Sequence, residues 1–184
     1  MFILILVLFL GVLFGANAYI FVRLVQALPT LPMVAKVLVG VCMGVATCSL
    51  FLSMALRGSA MPAALSRGLF QVGSVWLVFT LYMVLALLAT DTTRIFLPAI
   101  KPYGFYLSLG AVACLLAYGY FNYKHPDINR IDITLDKPLP GKPMKIVAIS
   151  DVHLGNGTRK PQLKKFVEMI NAQNPDLIII SGDL

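Results

Sequence analysis

Three side chains near the C-terminal end of the sequence are of the types that bind divalent metal ions. Asp151 and His153 are separated by one residue, and Asp183 follows later in the chain. Residues i and i+2 of an extended segment lie on the same side, so we expect the first two to bind one ion together. A carboxylate and a neutral imidazole suit a divalent transition metal.

The second carboxylate indicates a second ion. Two carboxylates a few ångströms apart repel each other unless one is protonated or a cation lies between them. Asp183 is therefore expected to bridge to a second metal. Two metals about 3.5–4 Å apart activate a water molecule and stabilise both oxygens of an in-line phosphoryl displacement. This arrangement would suit hydrolysis of a phosphoester.

The surrounding elements would bring these residues to one edge of a sheet. The run 144–150 is short and rich in β-branched residues, as in a buried strand, and the run 177–181 has the same character. Pro161 suits the first turn of a helix between them, and Asn174-Pro175 would end that helix. One face of the helix is apolar: Leu163, Phe166, Val167 and Ile170. A strand–helix–strand unit has parallel strands, whose carboxyl ends meet where open α/β sheets bind ligands.

Each of these signals is weak alone, and two alternatives remain open. In the first, the chain is a non-catalytic integral membrane or interaction protein and the Asp-x-His pair is accidental. In the second, Gly155 and Gly157 belong to a nucleotide-binding loop. That loop would need a third glycine at position 160, where the sequence has lysine.

Two segments resemble known motifs. Ile149-Ser150-Asp151-Val152-His153-Leu154-Gly155 and Ile180-Ser181-Gly182-Asp183-Leu184 are similar to the first two motifs of the calcineurin-like metallophosphoesterase family. The resemblance covers residues 144–184. It implies that Asp151 and His153 bind one metal, and that Asp183 bridges two divalent ions (Mn, Fe or Zn).

The family's remaining motifs are Gly-Asn-His-Asp/Glu, a further His and Gly-His-x-His. None of them follows in this sequence, which ends at Leu184. The residue that serves as the leaving-group acid would lie beyond that point, so no catalytic residue is assigned here. The expectation is an N-terminal fragment that is inactive by itself, with its α/β domain incomplete.

The rest of the chain has the composition of a membrane protein. It is 59% hydrophobic and 12% charged, with a mean hydropathy of +0.85, whereas soluble domains carry about 25% charge. Four stretches are long enough to cross a bilayer as helices, about 2–22, 33–56, 69–89 and 103–121. The predicted architecture is a four-helix transmembrane region (1–121), a linker (122–143) and the opening β-α-β of a metallophosphoesterase-like α/β domain (144–184).

Partners and location follow from the same pattern. The net charge of +7 lies mostly at the ends of apolar runs, where it would face lipid headgroups. No basic helix or aromatic–basic interleaving indicates nucleic acid. The expected partners are the lipid bilayer and a phosphoester, with a lipid-linked substrate compatible with the charge. The helices resemble those of membrane-anchored bacterial members of the family, so a multi-pass protein of the bacterial inner membrane is expected.

Small residues recur four apart in the first two spans. They are Gly11 and Gly15, and then Gly40, Gly44 and Cys48. This spacing lets helices approach closely. We expect packing within the four-helix bundle, with a helix-mediated oligomer as the alternative.

Overall fold

The computed structural model describes residues 1–56, 62–134, 143–152, 154, 158 and 160–183. Four long helices come first: α1 (Phe2–Ala27), α2 (Met33–Ala55), α3 (Ala63–Phe96) and α4 (Gly104–Lys124). They are followed by β1 (Ile146–Ser150), α5 (Lys160–Ala172) and β2 (Leu177–Ser181). The chain divides into two compact units, Met1–Asp127 and Ile128–Leu184. The predicted fold class, four membrane-type helices followed by a strand–helix–strand unit, is confirmed.

Helix α3 is longer than its apolar stretch. It begins at Ala63 and ends at Phe96 instead of running from 69 to 89, so it continues through Asp91 and Arg94. The hydroxyls of Thr92 and Thr93 donate to carbonyls one turn back, which keeps polar residues compatible with a helix. The helix ends just before Leu97, because the following Pro98 disfavours helical geometry there. The helix therefore continues past the charged residues that end its apolar stretch.

The four helices present apolar side chains outward. All four are long and apolar enough to cross a membrane. On α1, for example, Val12 is 72% exposed and Leu4 is 63% exposed. Side chains this apolar on an outer surface are expected where the solvent is lipid.

A small core holds the helices together, and Met83 and Leu87 of α3 lie at its centre, both 0% exposed. A polar contact joins three helices beside it. The indole Nε1 of Trp76 donates to Asn17 Oδ1 of α1 and to Thr47 Oγ1 of α2, each at 3.0 Å. Hydrogen bonds of this kind help to associate helices where lipid removes the hydrophobic driving force.

Close helix packing occurs at a glycine that the spacing pattern did not include. A Cβ on Gly73 of α3 would lie 2.6 Å from Leu50 Cβ and 2.7 Å from Leu50 Cα, so only glycine allows this approach of α2. A Cβ on Gly11, Gly15 or Gly44 would meet no atom within 4 Å. The predicted packing inside the bundle is therefore wrong for these three glycines, whereas Gly40 does face α1, since a Cβ there would lie 3.5 Å from the Phe21 ring. A helix-mediated oligomer stays a prediction.

The second unit contains a parallel pair of strands. Residues pair in register from Ile146 with Leu177 to Ser150 with Ser181. Both strands therefore end at the same level, and the residues that follow them lie side by side.

Candidate metal centre at the strand ends

Asp151 and Asp183 leave the two strands at neighbouring points. The backbone N–H of Asp151 donates to Ser181 O at 3.0 Å, which extends the strand pairing by one residue. The backbone N–H of Asp183 is 3.4 Å from Asp151 Oδ1, a long hydrogen bond. The structure thus brings together these two residues, which the sequence separates by a whole helix.

The turn at Gly182 makes this proximity possible. Its φ of +81° is a conformation that side chains other than glycine rarely adopt. A Cβ there would lie 2.8 Å from Asp151 Cγ, and it would be closer still to Asp151 Oδ1. The Asp151 carboxylate therefore occupies the space that a side chain at position 182 would fill.

Asp151 itself has a left-handed backbone, with φ of +51°. Aspartate tolerates this region better than most residues, although such positions still carry strain. Val152, next in the chain, is buried, and its carbonyl accepts a hydrogen bond from Thr158 Oγ1 at 2.5 Å. These contacts hold the residue that directly follows Asp151.

His153 lies outside the described residues, so its position relative to Asp151 is not part of this geometry. Its role as a ligand remains a prediction, as do the ligand roles of Asp151 and Asp183. Among the residues that the structure describes, no group of three or more His, Cys, Asp or Glu side chains could hold a metal.

The opposite end of the strands is held by a residue that sequence reasoning missed. Asp176 Oδ2 accepts the backbone N–H of Lys145 at 2.8 Å, and the Asp176 N–H donates to Lys145 O at 2.8 Å. The Lys145 ammonium donates to Gln173 O at 2.8 Å. This reciprocal contact sets the strand register and therefore aligns Asp151 with Gly182 and Asp183. Asp176 comes immediately before a strand, which is the one signal that could have suggested this role.

The donor set fits a divalent cation. Both carboxylates belong to exposed residues, and Gly182 lets the Asp151 carboxylate lie against the end of the neighbouring strand. Carboxylate oxygens are suitable ligands for Mn²⁺ and for other divalent ions. Asp151 and Asp183 are thus the described residues that could hold such an ion.

Comparison with known proteins agrees with this geometry. Residues 144–184 match the family described as calcineurin-like phosphoesterase. This match begins just before β1 and includes both strand ends. This segment, which is similar to calcineurin-like phosphoesterases, follows four helices of membrane-spanning type.

Similar proteins carry matching descriptions. An uncharacterized metallophosphoesterase of Campylobacter jejuni is 35% identical over 82 residues, which cover 44% of this chain and 21% of that protein. A transmembrane protein with metallophosphoesterase domain of Danio rerio is 35% identical over 80 residues, which cover 42% of this chain and 18% of that protein. An uncharacterized metallophosphoesterase of Helicobacter pylori is 34% identical over 83 residues, covering 43% and 22%.

The chain spans about a fifth of the length of these curated relatives. The alignments are longer than the family match, so they include residues outside 144–184. No solved structure matches the chain. The chain thus combines four helices of membrane-spanning type with a segment, residues 144–184, that is similar to calcineurin-like phosphoesterases.

Proposed function

We propose that this chain is the membrane-tethered beginning of a metal-dependent phosphoesterase. The observation that carries the proposal is the side-by-side placement of Asp151 and Asp183 at the carboxyl ends of two parallel strands. The family match over the same residues supports it.

The proposed roles follow from this placement. Asp151 and His153 would hold one divalent ion, and Asp183 would be shared by two ions. When bound, such ions supply Lewis acidity and lower the pKa of water, so that a nucleophile forms near neutral pH. Gly182 leaves room for the Asp151 carboxylate itself, and the Asp176–Lys145 contact keeps the strands in register. The metal could be Mn, Fe or Zn.

The substrate class is a phosphoester, and we propose a lipid-linked one. The basic residues near the ends of the apolar spans would favour an anionic substrate at the bilayer surface. The bacterial inner membrane is the proposed location, with four passes through the bilayer.

We further propose that residues 1–184 alone do not turn over substrate. Asp151, His153 and Asp183 offer three ligands, whereas a two-metal site needs several more held in fixed geometry. Two strands and one helix are also too small to preorganise the ligands that are present.

The test compares two purified proteins in detergent: residues 1–184, and the complete reading frame that contains them. Both are assayed with an aryl phosphodiester and added Mn²⁺. The proposal expects metal-dependent hydrolysis only by the complete product. Its Asp183→Asn variant should lose more activity than the roughly 10–100-fold typical for loss of an outer-shell partner.

Two results would contradict these proposals. Metal-dependent turnover by residues 1–184 that Asp183→Asn abolishes would show that three ligands suffice. The protein made from the complete reading frame could also keep normal activity when it carries both Asp151→Asn and Asp183→Asn. That result would rule out a phosphoesterase site at the strand ends and favour a different role for the chain.

A further inference from the structure

One end of the helix bundle carries an excess of positive charge. The short connections between α1 and α2 and between α3 and α4 lie at this end, and both are fully described. Four basic residues and one acidic residue belong to it: Arg23, Lys36, Arg94, Lys101 and Asp91. We call this group the basic end. Its formal charge is positive even with Asp91 ionised.

Asp91 is fully engaged by its neighbours. Its Oδ1 accepts from Arg23 Nη2 at 2.5 Å and lies 3.4 Å from Arg94 Nη1. Its Oδ2 accepts from the hydroxyl of Tyr19 at 2.6 Å. One carboxylate therefore stands against two guanidinium groups, and only one of the two positive charges can be neutralised.

The two arginines differ in how accessible they are. The side chain of Arg23 is 13% exposed and also donates to Gln26 Oε1, whereas the side chain of Arg94 is 35% exposed. Only Nη1 of Arg94 has an ion-pair contact among the described residues, which leaves its other N–H groups without a described acceptor. Arg94 is thus the member of the pair that an external anion could reach.

Arg94 is also held in place before any ligand arrives. It contacts Asp91 one helical turn away, and Asp91 is fixed by Arg23 and Tyr19 of another helix. A planar guanidinium with free N–H groups binds phosphate oxygens in a bidentate manner. Because its orientation is already restricted, binding would cost less conformational entropy than at a mobile side chain.

Lys101 and Lys36 add charge near the same boundary. Lys101 is exposed, and neither lysine forms an ion pair within the part of the chain that the structure describes. Tyr103, which precedes the first residue of α4, is exposed and follows Lys101 by two residues. Basic and aromatic side chains at the ends of apolar helices lie at the level of lipid headgroups.

We propose that the basic end binds the phosphate group of an anionic phospholipid, with Arg94 as the principal contact and Lys101 as a second one. The site does not depend on the proposed phosphoesterase function. The chain leaves α4 at Lys124, at the other end of the bundle from Arg94.

The test uses the purified protein in detergent and measures bound lipid by native mass spectrometry. Phosphatidylglycerol and phosphatidylcholine with identical acyl chains are compared. The wild type should retain more phosphatidylglycerol. Arg94→Gln should weaken that retention about fivefold, the effect of losing one basic contact near a membrane surface. Arg67→Gln, near the opposite end of α3, is the matched control and should leave it unchanged.

One further variant and a competition with inorganic phosphate complete the test. Lys101→Gln, at an exposed position, should also weaken phosphatidylglycerol retention, and it keeps the Arg94 contacts in case Arg94→Gln perturbs folding. Equal retention of the two lipids, or equal losses in Arg94→Gln and Arg67→Gln, would overturn the proposal. Displacement of the lipid by millimolar inorganic phosphate would also overturn it, because a soluble anion would then be the preferred ligand.

Discussion

Gly182 is the residue on which the position of the Asp151 carboxylate most directly depends. We expect Gly182→Ala to destabilise the second unit by about 1–3 kcal/mol, since its left-handed φ strains any side chain. We also expect weaker Mn²⁺ binding, because a Cβ would displace Asp151. Equilibrium dialysis of the product of the complete reading frame against Mn²⁺ measures this affinity. Ser181→Ala is the control, since it keeps the backbone carbonyl that Asp151 uses. Unchanged Mn²⁺ affinity in Gly182→Ala would contradict this role.

A single indole N–H joins three helices at Trp76. Replacement by Phe removes the donor for Asn17 Oδ1 and Thr47 Oγ1 and keeps an aromatic ring against Phe79. The expected loss of stability is about 0.6–2 kcal/mol, the range for hydrogen bonds between membrane helices. Unfolding in mixed micelles measures it. The exposed Tyr82→Phe is the control and should be nearly neutral, and an equal loss in both variants would contradict the assignment.

The meeting of the two strand ends could be predicted from sequence because parallel strands align their carboxyl ends. The sequence predicts that Asp151 and Asp183 meet, and the Asp183 N–H does lie 3.4 Å from Asp151 Oδ1. The clamp of Asp176 on Lys145 could not be predicted, since one carboxylate before a strand has many possible partners. The ion pairs of Asp91 with Arg23 and Arg94 could not be predicted either, because a helical carboxylate also has many possible partners. Such pairings depend on how helices pack, which no local pattern determines.

At the scale of elements, the contact between α2 and α3 depends on a glycine. Gly73→Ala should cost about 1–3 kcal/mol, because an added methyl group meets the backbone of Leu50 and must push the helices apart. Gly68→Ala is the matched control on the same helix, since its Cβ would meet nothing within 4 Å. Alanine there should be neutral or stabilising, by up to about 1 kcal/mol of helix propensity. Thermal unfolding in detergent compares the two, and the reverse order would refute the packing at Gly73.

The spans themselves could be predicted more reliably than their ends. Twenty or so apolar residues in sequence are enough to specify a membrane helix, because the bilayer requires internal hydrogen bonding. Polar residues beyond the apolar stretch carry no comparable signal. Helix α3 therefore extends past Asp91, where the composition changes but the backbone geometry does not. The small-residue spacing succeeded only in part as a packing signal, since Gly40 faces Phe21 of α1 but Gly11 and Gly15 lie on the outer surface of α1.

At the scale of the whole molecule, four apolar helices predict integration into the bilayer. Alkaline carbonate removes peripheral proteins but leaves integral ones in the membrane pellet. We expect this chain to stay in that pellet and to be released only by detergent. Its recovery in the carbonate supernatant would contradict four membrane passes.

The distribution of basic residues predicts an orientation with both ends of the four-helix region in the cytoplasm. An even number of spans puts them on one side, and Arg57, Arg67, Lys124 and Arg130 lie there. The opposite side carries Arg23, Lys36, Arg94 and Lys101, but the first side also has Lys137 and Lys142 slightly further along the chain. A reporter fused after Lys142 that is active only in the cytoplasm should therefore be active. Activity instead from a reporter that works only outside the cytoplasm would reverse the orientation.

The two strand-end carboxylates are proposed to bind a divalent metal. Electron paramagnetic resonance of Mn²⁺ tests it most directly, because bound Mn²⁺ loses the sharp signal of the free ion. The complete reading frame containing residues 1–184 is titrated with Mn²⁺ beside its Asp151→Asn, Asp183→Asn double variant. We predict that the wild type depletes the free-ion signal at ion-to-protein ratios up to about two. The double variant should leave that signal close to the protein-free control. Equal depletion by both proteins would show that the metal binds elsewhere and would contradict the account.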